Sequence, residues 1–231
     1  MKKSHIATLL VCLLLIPATV YFGARLPGRS YYITGTAVII ELMIPFFMAF
    51  EGRKPQAREL VIVAVMCAIA IVARVAIPIP HFKAIFAIVM LAGIAFGPET
   101  GFMVGALSAF VSNFFYAQGA YTPWQMFSYG AGGMLAGFAF AKGRLDRTPL
   151  TMAIFGFFTV VLMVGPLLDL TGVFLMITSV NSASVIAVLL SGFPANISQA
   201  VCTALVLALL GRPLLKKLDR VKRKYGLLET E

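Results

Sequence analysis

The sequence predicts an all-α integral membrane protein, and two observations carry that prediction. Of the 231 residues, 60% are apolar and only 12% are charged, which leaves too few polar side chains to cover the surface of a soluble domain. Apolar stretches of membrane-spanning length also recur along the chain, whereas a transmembrane barrel would show short alternating strands. Because backbone groups in lipid must be hydrogen-bonded internally, long apolar stretches indicate a helical bundle.

Eight apolar stretches, separated by proline, glycine or charge, are predicted to be membrane spans. They cover approximately residues 5–24, 31–50, 59–77, 83–97, 99–117, 125–141, 149–170 and 185–211. The first resembles a signal peptide, but its apolar stretch exceeds the roughly 7–15 residues usual for one, so we expect a retained span. The fourth has an uncharged part of only 14 residues and could instead be a re-entrant segment.

The distribution of basic residues favours eight spans. With the N- and C-termini cytoplasmic, 15 of the 19 basic residues lie on the inner side, and only Arg25, Arg29, Arg74 and Lys83 lie toward the outside. A re-entrant fourth segment would move ten of those 15 outside, against the positive-inside rule. The net charge of +10 is therefore expected to face the bilayer's anionic headgroups, and not nucleic acid.

The most polar internal connection, "EGRKPQAR" at residues 51–58, divides the predicted spans. We expect an accessory helix pair with its basic link over residues 1–57, a six-helix core over residues 58–211, and a basic cytoplasmic tail over residues 212–231. In the tail, apolar side chains fall on one helical face and basic ones on the other. This pattern is typical of a helix on the inner headgroups, and the alternative is a solvated tail that only enforces topology.

The predicted outer loops of the core, at residues 74–83, 116–133 and 170–184, carry most of its polar and aromatic side chains. A pocket for a small molecule needs apolar and aromatic walls with a few placed polar groups. The candidate wall residues are Phe82, Tyr121, Trp124, Tyr129 and Phe174, and the candidate polar residues are His81, Lys83, Asn113, Gln118, Gln125 and Asn181. Enrichment of Trp and Tyr at membrane interfaces is the alternative explanation for the aromatic residues.

Ionisable residues at membrane depth are few. Arg74 and Asp169 fall near the outer ends of their spans, where they could contact a ligand or pair with each other if their helices are neighbours. Glu41 falls near the middle of the second span, and we expect it to be protonated or paired with another helix rather than to be a transport proton site.

Neither a metal site nor an enzyme is predicted. Cys12, Cys67 and Cys202 lie in apolar stretches without a CxxC spacing, which indicates buried thiols. His5 and His81 fall on opposite sides of the membrane in this topology. No combination of nucleophile, base and orienting group is apparent, so the chain is not expected to be an enzyme or to hold a cofactor of its own.

Small residues repeat at four-residue spacing, which lets helices approach closely in lipid. Ala64 and Ala68 form such a step in the third span. Similar steps occur in the fifth, sixth and eighth spans at Gly101, Gly105 and Ala109, at Gly133, Gly137 and Ala141, and at Ala200, Ala204 and Ala208. Most of these are expected to pack the bundle internally.

A six-helix core with an AxxxA step in its first helix and elaborated outer loops resembles the S component of energy-coupling factor (ECF) vitamin transporters. The most specific stretch is "FGPETGFMVGALSAFVSNFFYAQGAYTPWQMFSYGAGGMLAG", residues 96–137, which is most similar to the cobalamin-specific type. The resemblance covers residues 58–211. It implies a bacterial plasma-membrane protein that binds a vitamin at its outer face.

The resemblance also implies partners and site residues. The partners are a membrane coupling subunit, contacted by Ala64 and Ala68, and two cytoplasmic ATPases that use ATP. The outer loops would form the vitamin site, with cobalamin or a corrinoid precursor as the expected ligand. Riboflavin, queuosine or pantothenate are the alternative ligands. A self-sufficient secondary transporter is the alternative function, although it would need coupling-ion groups at membrane depth.

Overall fold

The computed structural model describes residues 10–23, 30–52, 56–176 and 181–225. Within these ranges the chain forms eight helices, in agreement with the predicted number. They are α1 (Val11–Leu15 and Ile16–Gly23), α2 (Ser30–Gly52), α3 (Ala57–Val75), α4 (Ile85–Phe96), α5 (Pro98–Tyr116), α6 (Thr122–Ala139), α7 (Pro149–Thr159, Val160–Val164 and Gly165–Met176) and α8 (Ser182–Val206, Leu207–Gly211 and Arg212–Lys224). A short 3₁₀ turn, Ala141–Gly143, follows α6.

Several residues named in the predictions lie outside the described part of the chain. They are His5, Arg25, Arg29, the side chain of Cys12 and residues 177–180 of the third outer loop. Cys67 and Cys202 are described, and both thiols are buried as expected.

The six core helices, α3 to α8, alternate in direction and so define two ends of the bundle. At one end, Arg74 in the last turn of α3 meets Asn113 near the end of α5 and Gln125 in the first turn of α6. At the other, Arg147, just before α7, donates a hydrogen bond of 3.1 Å to the carbonyl of Ile94 near the end of α4. We call these the polar end, with Arg74, Lys83, Asn113 and Gln125, and the basic end, with Arg58, Arg147 and Lys222.

Helix α4 forms the centre of the core. All 12 of its residues, Ile85–Phe96, are buried, and α3, α5, α6, α7 and α8 pack around it. Its length of about 18 Å is well short of the roughly 30 Å of bilayer hydrocarbon. Protein and not lipid surrounds it, so it does not need to match that thickness. Because its two ends face opposite ends of the bundle, the re-entrant alternative is wrong.

Glycines allow α4, α5 and α6 to approach each other very closely. A Cβ added to Gly133 of α6 would lie 2.3 Å from the carbonyl oxygen of Gly101 in α5, and one added to Gly93 of α4 would lie 2.0 Å from the carbonyl oxygen of Gly133. One added to Gly105 would lie 2.4 Å from the carbonyl oxygen of Tyr129. The small residues of α5 and α6 therefore pack the bundle internally, as predicted.

Prolines account for the irregular turns of α1, α7 and α8. Each of these helices contains a π-helical segment, and each segment ends two residues before a proline, at Pro17, Pro166 and Pro213. A proline within a helix lacks an N–H donor and crowds the carbonyl four residues earlier. The wider π turn, closed in α7 by a hydrogen bond from the Gly165 N–H to the Val160 carbonyl, relieves this crowding and keeps the helix continuous.

Helix α2 of the predicted accessory pair packs directly on the core. The ring of Phe46 stacks on the buried Phe102 of α5 at a centroid distance of 4.4 Å, and Phe47 contacts it edge-on at 6.1 Å. Helix α1 is held to α2 by a hydrogen bond of 2.5 Å from the Thr19 hydroxyl to the Glu41 carboxyl group. This contact agrees with the expectation of a helix-paired Glu41.

The basic tail is a continuation of α8 that packs on the bundle. Leu215 is only 3% exposed, and Leu214, Leu218 and Val221 pack against the main core. Protein therefore covers the apolar face of this segment, and only its basic face is left for the headgroups on which it is predicted to lie. Amphipathicity in a sequence shows that a face is apolar but not what covers it.

The outer surface of the bundle is apolar. Leu162, Leu190 and Leu209 are each about 70% exposed, which a lipid surrounding tolerates and water does not. By length and composition, three helical stretches among the described residues can cross a membrane, namely Ile33–Gly52, Pro149–Phe174 and Ser182–Lys224.

Candidate vitamin-binding site

The polar end is organised around Arg74, in the last turn of α3. One guanidinium nitrogen, Nη1, donates to the Ser112 hydroxyl and, at 2.9 Å, to the Asn113 carbonyl oxygen. Both acceptors are fully buried in α5. A buried charge requires polar partners of this kind, so the arginine head is held against α5 and not left to lipid.

Asn113 extends this network to α6. Its Nδ2 donates 2.9 Å to Gln125 Oε1 and 3.2 Å to the Thr122 hydroxyl. Asn113 thus accepts from α3 and donates to α6, and its amide orientation is fixed by both contacts. The three helix ends are joined through one side chain.

Two tyrosines lie beside the guanidinium group. The Cζ atom of Arg74 is 4.8 Å from the ring centroid of Tyr116 and 5.6 Å from that of Tyr129. Both distances are within the range of cation–π attraction. Tyr129 is buried and packs edge-on against Phe86 of α4 at 4.6 Å, whereas Tyr116 is 44% exposed. The polar end therefore presents an accessible aromatic ring next to a buried one.

The connection between α5 and α6 is tied to the same network. Thr122 donates 2.9 Å to Gln118 Oε1, and the Tyr121 hydroxyl donates 2.5 Å to the carbonyl of Ala117. Ala117 has a φ of 77°, in the left-handed region that a residue with a Cβ seldom adopts. The predicted residues Gln118 and Tyr121 thus hold the loop in place above Asn113.

The connection between α3 and α4 brings Lys83 to the site. Its ammonium nitrogen lies 5.8 Å from the ring centroid of Tyr116, so two cations flank one aromatic ring. Gln199 of α8 donates a hydrogen bond to the Lys83 carbonyl, which fixes this connection to the last helix. His81 is exposed with a φ of 55°, and Phe82 is half-buried beside it.

Arg74 and Asp169, which could pair only if their helices were neighbours, have different partners. Asp169 faces α8, where Asn196 donates to it at 2.6 Å, and a Cβ on Gly192 would lie 2.2 Å from its carboxylate. Arg74 faces α5 instead. Hydrophobic periodicity does not reveal which helices are neighbours. Arg74 of α3 bonds to α5, whereas Asp169 of α7 bonds to α8.

Trp124 and Asn181 lie apart from this network. Trp124 is 6% exposed, stacks on Phe174 of α7 at 5.0 Å and lies against Gly35 of α2. Asn181 is the N-cap of α8, where its side chain accepts from the Ser184 N–H at 2.9 Å. Both residues have evident structural roles at these positions.

A model of the family described as the ECF-type riboflavin transporter S component matches residues 54–219. The chain belongs to this family. The match includes all six core helices and most of the extension of α8. No curated protein and no solved structure matches the chain. The protein is therefore the S component of an ECF transporter, a multi-pass membrane protein of vitamin uptake and not an enzyme.

Membership of this family implies partners in the ECF module and a vitamin substrate, as the sequence predicted. It gives no support to the more specific prediction of cobalamin, because the matching family is the riboflavin type. Nothing in the residue types of the outer loops distinguishes these ligands, since both have flat apolar rings and many polar groups.

No described part of the chain covers one face of α3. Ala64 and Ala68 are exposed there, next to Val61 and Val65, which are 61% and 51% exposed. The opposite face of α3 is buried against α4 and α5. This AxxxA step thus differs from the small-residue steps of α5 and α6, which pack internally.

Four residues of the site in this S component are not among the predicted site residues: Ser112, Tyr116, Thr122 and Gln199. Tyr116 has a detectable signal, because its spacing of three from Asn113 places both on one side of α5. Gln199 has none, since it reaches Lys83 only through the packing of α8.

Proposed function

We propose that this S component binds riboflavin at the polar end of the bundle, on the outer side of the membrane. The choice of riboflavin as the ligand rests on the family match over residues 54–219. The side of the membrane follows from charge, because the positive-inside rule assigns the basic end, with Arg58, Arg147 and Lys222, to the cytoplasm.

The chemistry of the polar end suits a flavin. Riboflavin has a flat tricyclic ring whose edge offers carbonyl and ring-nitrogen acceptors and one N–H donor, and its ribityl chain carries hydroxyls. Tyr116 offers an exposed ring face for stacking, and the buried Tyr129 lies on the same guanidinium group. The guanidinium of Arg74 and the ammonium of Lys83 donate to carbonyl oxygens, and Gln125 both donates and accepts.

The other proposed contacts surround this group. His81, Phe82, Gln118 and Tyr121 belong to the two connections that border the polar end, so they are placed to close over a bound ligand. Asn113 acts by holding Arg74 and Gln125 in position. We place Trp124, Asp169 and Asn181 outside the direct contacts, because each is committed to a different part of the bundle.

A panel of vitamins tests the proposed ligand. The purified protein is titrated into riboflavin, whose fluorescence falls when the ring stacks on an aromatic side chain, and unlabelled cobalamin, queuosine and pantothenate are added as competitors. We expect saturable quenching that none of these competitors reverses. Reversal by cobalamin at equal concentration, or no quenching at any protein concentration, would show that the ligand is wrong.

We further propose that the uncovered face of α3 contacts the coupling subunit, with Ala64 and Ala68 at its centre. Small side chains let a second helix approach closely, so van der Waals contact can hold two membrane proteins together. The two partner ATPases would then supply the energy of transport, because the S component has no nucleotide-binding motif.

Substitution of Ala64 and Ala68 tests this surface. We expect Ala64→Trp and Ala68→Trp to abolish co-purification with the coupling subunit and to leave riboflavin binding unchanged, because an indole there blocks helix approach without entering the core. Ala187→Trp, on the exposed side of α8, is the matched control and should assemble normally. Assembly of both α3 variants at the control level would contradict the proposed surface.

A further inference from the structure

The extension of α8 carries a cationic surface that neither vitamin binding nor coupling through α3 uses. Lys216, Lys217, Arg220 and Arg223 are all exposed and border a shallow groove together with Asp219. Asp219 is itself paired with Arg147 at 3.4 Å. The groove thus has four cations and one acid that already has a partner.

The orientation of this helix is fixed by the bundle. Its apolar side chains are packed against the core, with Leu215 only 3% exposed. Lys222 donates 3.4 Å to the carbonyl of Ala95 at the end of α4, and Arg58 donates 3.3 Å to the carbonyl of Tyr225. The helix cannot roll to bury its basic face, so that face is held outward.

The exposed residues that precede the groove place it next to the lipid headgroups. Leu209 and Leu210 are 72% and 51% exposed, which suits hydrocarbon, and the first exposed cation, Arg212, follows two residues later. From Leu210 to Lys217 the helix rises about 10 Å. A bilayer headgroup layer is about 5–8 Å thick on each side, so Lys216 and Lys217 lie just outside it, and their long side chains can reach back to the phosphates.

We propose that this groove, formed by Lys216, Lys217, Arg220 and Arg223, binds the phosphate headgroups of anionic phospholipids. Charge complementarity and depth both favour a lipid phosphate over a soluble partner. Juxtamembrane cations each contribute about a fivefold gain in affinity for anionic membrane surfaces. A cluster on one rigid face can direct several donors at a single phosphate.

Binding of labelled phosphatidylglycerol to the purified full-length protein in neutral detergent tests the site. We expect phosphatidylglycerol to bind much more tightly than phosphatidylcholine, with affinity that falls as salt rises. Lys216→Gln/Lys217→Gln should weaken phosphatidylglycerol binding by about 30-fold at low salt. The control Lys142→Gln/Arg144→Gln removes two exposed cations from the same end of the bundle. It should change the affinity for phosphatidylglycerol little.

Four results would overturn the proposal. The first is equal binding of phosphatidylglycerol and phosphatidylcholine. The second is an equal loss of phosphatidylglycerol affinity in the groove variant and the control, which would show that only the overall charge matters. The third is displacement of the lipid by inorganic phosphate at similar concentration, which would indicate a free anion. A groove variant that binds lipid normally but no longer assembles with the ATPases would likewise assign the surface to a protein partner.

Discussion

Asn113 shows how a single side chain can organise one end of this protein. It accepts from Arg74 of α3 and donates to Gln125 and Thr122 of α6, and it is fully buried in α5. Its amide has both a donor and an acceptor, which neither a carboxylate nor an apolar residue can provide. The shape of the proposed ligand site therefore depends on a residue that need not touch the ligand.

Replacement of Asn113 tests that dependence without reference to any ligand. We expect Asn113→Leu to lower the free energy of unfolding by about 1–3 kcal/mol for each buried group left without a partner, measured by thermal denaturation in detergent. Phe114→Leu is the matched control, since Phe114 is 67% exposed on the next position of the same helix. Equal melting temperatures for the two variants would contradict a structural role for Asn113.

At the scale of helices, the close contact of α4, α5 and α6 determines the shape of the core. Gly93, Gly101 and Gly133 meet where the three backbones converge, and this leaves no space for a side chain. Backbone contact of this kind gains dispersion energy that lipid cannot replace. It also aligns the end of α5 with the start of α6, where the proposed site lies.

A single added methyl group should disturb this contact. In Gly133→Ala the new Cβ would lie 2.3 Å from the carbonyl oxygen of Gly101, so α5 and α6 must separate, at a cost of about 1–3 kcal/mol or more. We expect a lower melting temperature and weaker vitamin binding. The control is Gly52→Ala, where no atom lies within 4 Å of the added Cβ, and it should leave the melting temperature and vitamin binding unchanged. A Gly133→Ala variant with the stability and vitamin binding of the wild type would contradict this account of the packing.

The helices themselves could be predicted from the sequence, but several of their relations could not. Apolar length and breaks at proline, glycine and charge locate all eight helices, and charge identifies the polar end. The complete burial of α4, the partner of Asp169 and the cover over Leu215 depend on which helices are neighbours. Periodicity gives the direction of a face along one helix but not the identity of the helix opposite.

The molecule as a whole is asymmetric both between its ends and around its circumference. One end joins Arg74, Lys83, Asn113 and Tyr116 in a network of polar and aromatic groups, and the other fixes cations to backbone carbonyls. Around the bundle, α2 covers parts of α5, α6 and α7, whereas α3 keeps an open face. The proposals for vitamin, coupling and lipid binding assign a different surface to each.

The most direct test of the central claim is an equilibrium riboflavin titration on the wild-type protein and two leucine variants at the polar end. We expect tight binding by the wild type, a loss of about tenfold in Tyr116→Leu from removal of one stacking ring, and no change in Phe115→Leu, whose ring is 65% exposed next to it. Absence of wild-type binding, or equal affinity in both variants, would contradict a flavin site at the polar end.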